Sequence, residues 1–553
     1  MPTLHWIGKE KVINHHREVP YRVLEKQYTF SAGDDARSSG RDVSSSISEA
    51  ALRRTQGVRG AENMIIQGDN LEALKSLLPR YEGKVKCIYI DPPYNTGNEG
   101  WVYNDNVNDP RIKKWLGEVV GKEGEDLSRH DKWLCMMYPR LVLLHRLLAE
   151  DGLIFINLDD NETYNCKSIL DEIFGSANYL ACIAWEKRYT RSNNAKRFYS
   201  LKDSILVYRR SAFLEKVKEG RTIKADSAYT NPDNDARGPW MTSSYVNPAT
   251  REKRKNLVYP IVRPVNGELV NHPTHAWKYS PSEHERHVNE NRLWWGADGL
   301  AKYPRLKLYL NEKDEGMVPV DLWKYDEVGT TDDGSIMLKE IFENSVFDNP
   351  KPPSLIEKVL SLIPDSNALI LDSFAGSGTT AHAVLNLNKQ DGGHRQFILI
   401  EMMDYADSIT AERVKRVMKG YGQGDKAVEG TGGSFDFYTL GVPLFTDGNL
   451  LNEEVGVERI REYIWFTETR STAPAMALDA APNPYYLGRH QDTAYYFVYE
   501  KEDLTTLDHD LLATLPAKGE RTVIYADNCL LPKKFMEQHG IVFKKIPRDI
   551  TRF

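Results

Sequence analysis

The stretch Ala368-Leu369-Ile370-Leu371-Asp372-Ser373-Phe374-Ala375-Gly376-Ser377-Gly378-Thr379-Thr380 decides how this chain is read. Its first five residues are an apolar run closed by an acid, the pattern of a buried strand. The next eight are mostly small, and an apolar helical stretch from Ala381 to Leu387 follows. Strand, glycine loop and helix is the layout that lets a cofactor approach the backbone closely. Gly376 and Gly378 remove side chains where such a ligand meets the main chain. Ser377 or Thr379 is placed to cap the following helix. About 20 residues on, a further strand, Phe397-Ile398-Leu399-Ile400, ends in Glu401, an acid suited to gripping ribose hydroxyls. The spacing is not G-x-G-x-x-G, which counts against a nicotinamide cofactor. The plainer reading is a turn and an ordinary acid at a strand end.

A second constellation lies upstream. Val85-Lys86-Cys87-Ile88-Tyr89-Ile90 reads as a buried strand and runs into Asp91-Pro92-Pro93-Tyr94. Open α/β sheets place their active sites at the carboxyl ends of such strands. An acid, two prolines and an aromatic there suit the holding of a flat, amino-bearing ring and the activation of its nitrogen. The exocyclic amine of adenine is a poor nucleophile because its lone pair is delocalised. Asp91 can accept one N–H and the Pro92 carbonyl the other, which favours a pyramidal nitrogen. Prolines keep the loop rigid and rich in acceptors, and Tyr94 can stack on the base. The bland alternative is a tight turn, for which Pro-Pro and Asp are common.

Together these two motifs resemble the DNA amino-methyltransferases, in the β-class order with the catalytic loop ahead of the cofactor loop. Further stretches resemble the modification (Mod) subunits of type III restriction-modification systems. They are Gly68-Asp69-Asn70-Leu71, Asp91-Pro92-Pro93-Tyr94-Asn95-Thr96-Gly97, Met137-Tyr138-Pro139-Arg140-Leu141, Gly152 to Asp160, Asp235-Ala236-Arg237-Gly238-Pro239-Trp240 and Gly432-Gly433-Ser434-Phe435. The likeness covers most of residues 60–440. It implies a doubly wound, mostly parallel, Rossmann-like α/β sheet with an inserted target-recognition domain and a small C-terminal α/β domain. It implies S-adenosylmethionine as cofactor, with Asp372, the Ala375–Thr379 loop and Phe374 at its methionine end, Glu401 at its ribose and Asp69 at its adenine. Asn349-Pro350-Lys351-Pro352-Pro353 only partly matches the family's His-Pro-Thr-Gln-Lys-Pro; by this likeness Lys351 takes the cofactor carboxylate. The implied reaction is direct methyl transfer to adenine N6 in double-stranded DNA, with the target base flipped out and no metal needed. Cytosine N4 presents the same kind of amine and is the alternative. RNA or protein-amide substrates, a stand-alone methylase, or a catalytically silent DNA-reading scaffold for a partner nuclease are more distant ones. The expected partners are DNA, a second copy of the chain and a restriction (helicase-nuclease) subunit.

Composition sets bounds. A chain of 553 residues accommodates roughly three or four domains. Net charge is −7, so any DNA-binding charge must be concentrated locally. Five scattered cysteines, with no C-x-x-C, give neither a disulfide framework nor a zinc site, and suit a reducing, cytoplasmic setting. No apolar run approaches a membrane span, and the amino terminus has no signal-peptide core.

Along the chain, residues 1–60 read as an N-terminal extension with a flexible segment rich in Ser, Gly, Asp and Arg. Residues 61–212 read as the catalytic half of the sheet domain. There, Leu141, Leu144 and Leu148 share one helical face, and Ile183–Trp185 and Ser204–Tyr208 read as further strands, with an antiparallel pairing open to them. Between those two strands the basic loop with Lys187, Arg188, Arg191, Lys196 and Arg197 is the first candidate for phosphate contact; the plain alternative is a solvated loop. Residues 213–345 lose the βα rhythm and mix tryptophans with Arg251, Lys253, Arg254, Lys255, Arg286 and Arg292. By resemblance they form the target-recognition domain, although most of the tryptophans suit a core. His272, His275, His284 and His287 have no cysteine partners, which argues against a metal site. Residues 346–440 rebuild the cofactor half. Residues 441–553 read as a smaller α/β piece, with a helix over 452–465 and strands over 494–499 and 522–525, assigned by resemblance to dimerisation or partner docking.

Overall fold

The computed structural model describes residues 3–33, 63–95, 129–190, 198–221, 226–313, 316–446, 450–471, 473, 483–501, 503–515 and 519–551. Ten strands form its main sheet: β1 (Arg22–Ser31), β2 (Asn63–Gln67), β3 (Val85–Ile90), β4 (Leu148–Leu158), β5 (Tyr179–Glu186), β6 (Lys202–Arg209), β7 (Leu322–Trp323), β8 (Leu369–Asp372), β9 (Gln396–Glu401) and β10 (Ser434–Pro443). Their order across the sheet is β1-β10-β2-β9-β8-β3-β4-β6-β5-β7. The strands from β10 to β4 in that order are all parallel. β6 is antiparallel to β4, and β5 to β6. β1 closes the other edge, antiparallel to β10.

The central strands are largely apolar because both faces of the sheet are covered. Cys87, Ile88, Ile370, Leu371, Phe397, Ile398, Leu399 and Ile400 have no exposed surface. The covering helices include α1 (Asn70–Tyr81), α2 (Arg129–Leu147), α3 (Pro353–Ser361), α4 (Thr379–Asp391) and α5 (Glu412–Lys419). α1 packs on α2, and α4 packs on both α3 and α5. Leu141 and Leu144 lie buried on α2, but Leu148 begins β4 directly after the helix, with no Gly or Pro between them to signal the change.

Residues Lys216–Pro319 form a separate compact unit. It holds a three-stranded antiparallel sheet (Leu293–Trp294, Arg305–Tyr309, Trp240–Ser244) and a core of Tyr245, Ile261, Val270, Trp277, Trp295 and Leu306. Two backbone hydrogen bonds, Glu219 N–H to Met317 O at 2.8 Å and Met317 N–H to Glu219 O at 2.7 Å, tie its two ends together. Residues 320–345 pack with the main unit instead. There β7 pairs with β5 and buries Trp323. The Asp235–Trp240 stretch is locked inside the smaller unit. Asp235 accepts from Arg237, from Lys307 at 3.1 Å and from Tyr309 at 2.6 Å. His284 and His287 both face the Tyr245 hydroxyl at 3.1 Å, and no group of metal-ligating side chains occurs among the described residues.

In the C-terminal part, α6 spans Val457–Thr469. It starts later than the 452–465 reading because Asn452 spends its side chain on a turn, accepting from Glu454 N–H at 3.1 Å and donating to Pro443 O at 3.0 Å. A four-stranded sheet follows: β11 (Tyr486–His490), β12 (Thr493–Phe497), β13 (Arg521–Ala526) and β14 (Ile541–Lys545). No helix among the described residues is long and apolar enough to cross a membrane.

Ile370 tests the packing between β8 and its neighbours. Ile370→Ala is expected to destabilise the main unit by about 2–5 kcal/mol, read from the midpoint of urea unfolding. An unchanged midpoint would contradict the close-packed sheet interior.

Candidate active site

β3 and β8 are hydrogen-bonded neighbours, with Ile370 opposite Cys87 and Leu371 opposite Ile88. The loops that leave their carboxyl ends therefore share one cleft, lined by Asp91 from the first loop and by Asp372, Phe374, Gly376, Ser377 and Thr379 from the second. Tyr89, Phe347 and Lys351 complete its walls.

Asp91 is held at one oxygen. Its Oδ1 accepts from the Tyr94 hydroxyl at 2.8 Å and from Asn157 Nδ2 at 3.2 Å. Asn157 comes from β4 and is fully buried. The Tyr94 hydroxyl also lies 3.3 Å from Asp203 on β6, and Asp203 takes the Lys187 ammonium at 2.6 Å. The other oxygen of Asp91, Oδ2, is paired with Lys351. Trp133 on α2 donates its indole N–H to the Pro93 carbonyl at 2.7 Å. Among the described residues no hydrogen bond reaches the Pro92 carbonyl. The Tyr94 ring, read as a stacking surface, has the Lys351 ammonium 5.2 Å from its centre.

The glycine loop is shaped by two left-handed residues. Gly376 has φ 52° and Gly378 φ 83°. A Cβ on Gly376 would stand 3.1 Å from the Phe347 ring, and one on Gly378 would stand 3.1 Å from the Thr410 carbonyl. Neither Ser377 nor Thr379 caps α4; the cap position is Gly378, without a side-chain hydrogen bond. Both hydroxyls are engaged instead by Arg413 Nη1 at 2.8 Å. Glu401 accepts Gly376 N–H at 2.8 Å and Met403 N–H at 3.0 Å. Asp372 accepts Phe374 N–H at 3.0 Å and the Thr380 hydroxyl at 2.6 Å. Burial pushes both carboxyls up to about 7. Each Asp372 oxygen keeps a lone pair for a ligand.

Asp69 caps α1, accepting Leu71 N–H at 2.8 Å, and pairs with buried Arg140 at 3.2 Å. Arg140 also holds Asn70, whose amide donates to the Ser373 carbonyl at 2.9 Å. The residues expected at a nucleoside cofactor thus converge, and the fit has an independent sign. The Tyr89 and Ser373 hydroxyls are buried beside the loop with no hydrogen-bond partner among the described residues, as the contacts of a polar ligand would be.

Of the five basic residues read as phosphate contacts, Lys187 is committed to Asp203 and Arg188 donates to the Tyr199 hydroxyl at 2.7 Å. Arg191, Lys196 and Arg197 lie outside the described residues. Sequence reasoning does not single out Asn157, Asp203, Trp133, Arg140, Phe347 or Arg413 as site residues. Asn157 and Arg140 carry a signal, each a polar residue inside an apolar run. Arg413 carries none, since Glu412-Arg413-Val414-Lys415 reads as an exposed helical charge pattern.

A family model described as DNA methylase matches residues 85–412, more than half of the chain. The chain belongs to this N6/N4 DNA methylase family. Asp91, Asp372 and Glu401 fall inside the match, and Arg413 lies one residue beyond it. Among curated relatives, the type III restriction-modification enzyme StyLTI Mod subunit of Salmonella typhimurium is 33% identical over 394 residues, which cover 65% of this chain and 57% of that protein. The EcoP15I Mod subunit of Escherichia coli is 29% identical over 66% of this chain and 61% of its own length. The type II methyltransferase M.KpnI of Klebsiella pneumoniae is 30% identical over 63% of this chain and 83% of its own. The chain thus spans about six tenths of the length of the Mod subunits it matches. Among solved structures, the cytosine-N4-specific PvuII DNA methyltransferase aligns with TM-score 0.33 at 11% identity, covering 64% of this chain and 87% of that one. The M1.HpyAVI–SAM complex aligns with TM-score 0.30 at 14% identity, covering 63% of this chain and 99% of that one.

The raised carboxyl of Asp372 makes a pH prediction. It titrates at about 7 in the folded chain against about 4 in an unfolded one. The folded state binds that proton more tightly, so its stabilising effect is complete below about pH 4 and is lost as pH rises through about 7. Asp372→Asn removes the titration. The unfolding free energy of the unsubstituted protein relative to this variant should fall across that window and level off above it. A difference constant with pH would refute the assignment.

Proposed function

We propose that this protein is a DNA amino-methyltransferase that uses S-adenosylmethionine, takes adenine N6 as its acceptor, and serves as the modification and recognition subunit of a type III restriction-modification system. The observation that carries this reading is the single cleft that joins the Asp91 loop to the glycine loop after β8. Family membership and the Mod-subunit relatives support it.

When bound, the cofactor supplies an electrophilic methyl group on a sulfonium. The chain's residues hold it and present the acceptor. Asp372, the loop from Ala375 to Thr379 and Phe374 take the methionine end, Glu401 the ribose, Asp69 the adenine amine and Lys351 the carboxylate. Asp91 accepts one N–H of the target amine and the Pro92 carbonyl the other. Because Tyr94 and Asn157 occupy Oδ1, the amine meets Oδ2, and Lys351 must leave that oxygen first. Rate then comes from orientation and from stabilising charge that grows on the nitrogen.

In this reading, Lys216–Pro319 recognises the target sequence. Its exposed Lys253, Arg254, Lys255 and Arg286 suit phosphate contact. The basic loop from Lys187 to Arg197 contributes near the flipped base, and residues 441–553 serve a homodimer or the docking of a restriction subunit.

Incubating the protein with DNA and tritiated S-adenosylmethionine, then analysing nucleosides, is expected to give N6-methyl-2′-deoxyadenosine; N4-methyl-2′-deoxycytidine would move the reading to the alternative acceptor, and no transfer would end it. Asp91→Ala should lower methyl transfer at least about a thousandfold while S-adenosylhomocysteine binding stays within about threefold. Full activity in that variant would refute the role of Asp91. The combined substitution Lys253→Ala, Arg254→Ala and Lys255→Ala should flatten the salt dependence of DNA binding by up to about three in logarithmic slope. An unchanged slope would remove that stretch from the interface.

A further inference from the structure

Arg413, on α5, is fully buried behind the glycine loop. Nη1 donates to Ser377 Oγ and Thr379 Oγ1, both at 2.8 Å, and Nη2 faces His382 Nδ1 at 3.2 Å. Its Nε has no hydrogen-bond partner among the described residues. Burial and the guanidinium hold His382 far below its ordinary value, so the imidazole is neutral and accepts. Burial also drags Arg413 down to about 9, which leaves it charged at neutral pH.

Among the described residues, no carboxylate pairs with Arg413. That is out of character for this chain. Arg140 is as deeply buried and is answered by Asp69, and Lys307 is answered by Asp233 and Asp235. An ion taken out of water without a counter-ion costs several kcal/mol, so a fold that keeps one there is prepared for an anion.

The contacts point to where that anion sits. Thr379 receives from Arg413 and passes its own hydrogen to the Lys351 carbonyl at 3.2 Å, fixing the segment that carries Lys351. Ser377 also receives from Arg413, but its hydrogen has only a 3.5 Å contact with Thr379. Ser377 lines the cleft and is itself buried. A hydroxyl polarised by a guanidinium is a stronger donor towards whatever lies beyond it.

We propose that Arg413 is a positioning residue for the carboxylate at the methionine end of the cofactor, acting through the Ser377 hydroxyl and, by way of Thr379, through the placement of Lys351. This rests on reading the cofactor as S-adenosylmethionine.

Calorimetric titration of the full chain with S-adenosylmethionine and with its decarboxylated form isolates the carboxylate, the one group by which the two ligands differ. The unsubstituted protein should prefer the carboxylated form. Arg413→Gln should weaken that ligand by about tenfold or more and leave the decarboxylated one within about twofold, with Arg413→Lys retaining part of the preference. Ser377→Ala leaves the buried charge in place and should produce a smaller loss with the same selectivity, so it decides the matter if Arg413→Gln does not fold. Equal weakening of both ligands would make Arg413 a brace for the loop and overturn the proposal, as would no weakening of either. An unsubstituted protein that binds neither ligand would refute the cofactor reading itself and the proposal with it.

Discussion

The parallel pairing of β3 with β8 is the constraint on which the site depends. Only Cys87 and Ile88 face Ile370 and Leu371 across it, yet this short seam brings together two loops from distant parts of the chain. From β3 the sheet continues to β4 on one side, and from β8 it continues to β9 on the other. A crevice opens where the winding reverses, because the connections that follow the two strands diverge. Joining remote segments this way is tolerable because the entropy of closing a loop grows only slowly with its length.

The elements that build the crevice are legible in the sequence because their signals are local. An apolar run ending in an acid marks a strand buried on both faces, and this holds for β8, for β9 and, past Lys86, for β3. A glycine pair after such a run marks backbone that must turn left-handed, and Gly376 and Gly378 do so. What stays illegible depends on tertiary neighbours. Ser377 and Thr379 have the side chains of helix caps, but Arg413 engages both hydroxyls from another helix. Lys187 sits in a run of basic residues, yet buried Asp203 draws it inward. Leu148 continues a helical spacing, but strand pairing with Val85 takes it into β4. In each case a long-range partner outweighs a short-range preference.

The charge pattern of the cleft follows from the same geometry. Asp91, Asp372 and Glu401 crowd into a small volume, and burial raises the latter two towards neutrality. Such a surface favours a ligand that brings positive charge. The cations set against it are distributed: Lys351 on the Asp91 oxygen that faces the cleft, and Arg413 behind the hydroxyls of the glycine loop. A layer of hydroxyl groups separates Arg413 from the cleft, whereas Lys351 pairs directly with Asp91 Oδ2.

The paired hydrogen bonds between Glu219 and Met317 bear on how this architecture can change over time. An insert whose ends are clasped together asks of its host only what a short surface hairpin would. Its interior can drift, shrink or be exchanged for foreign sequence while the parent sheet stays intact. On the proposed reading of the insert, modularity of that kind lets one chemistry be re-addressed repeatedly, with the clasp as the natural splice point for chimeras.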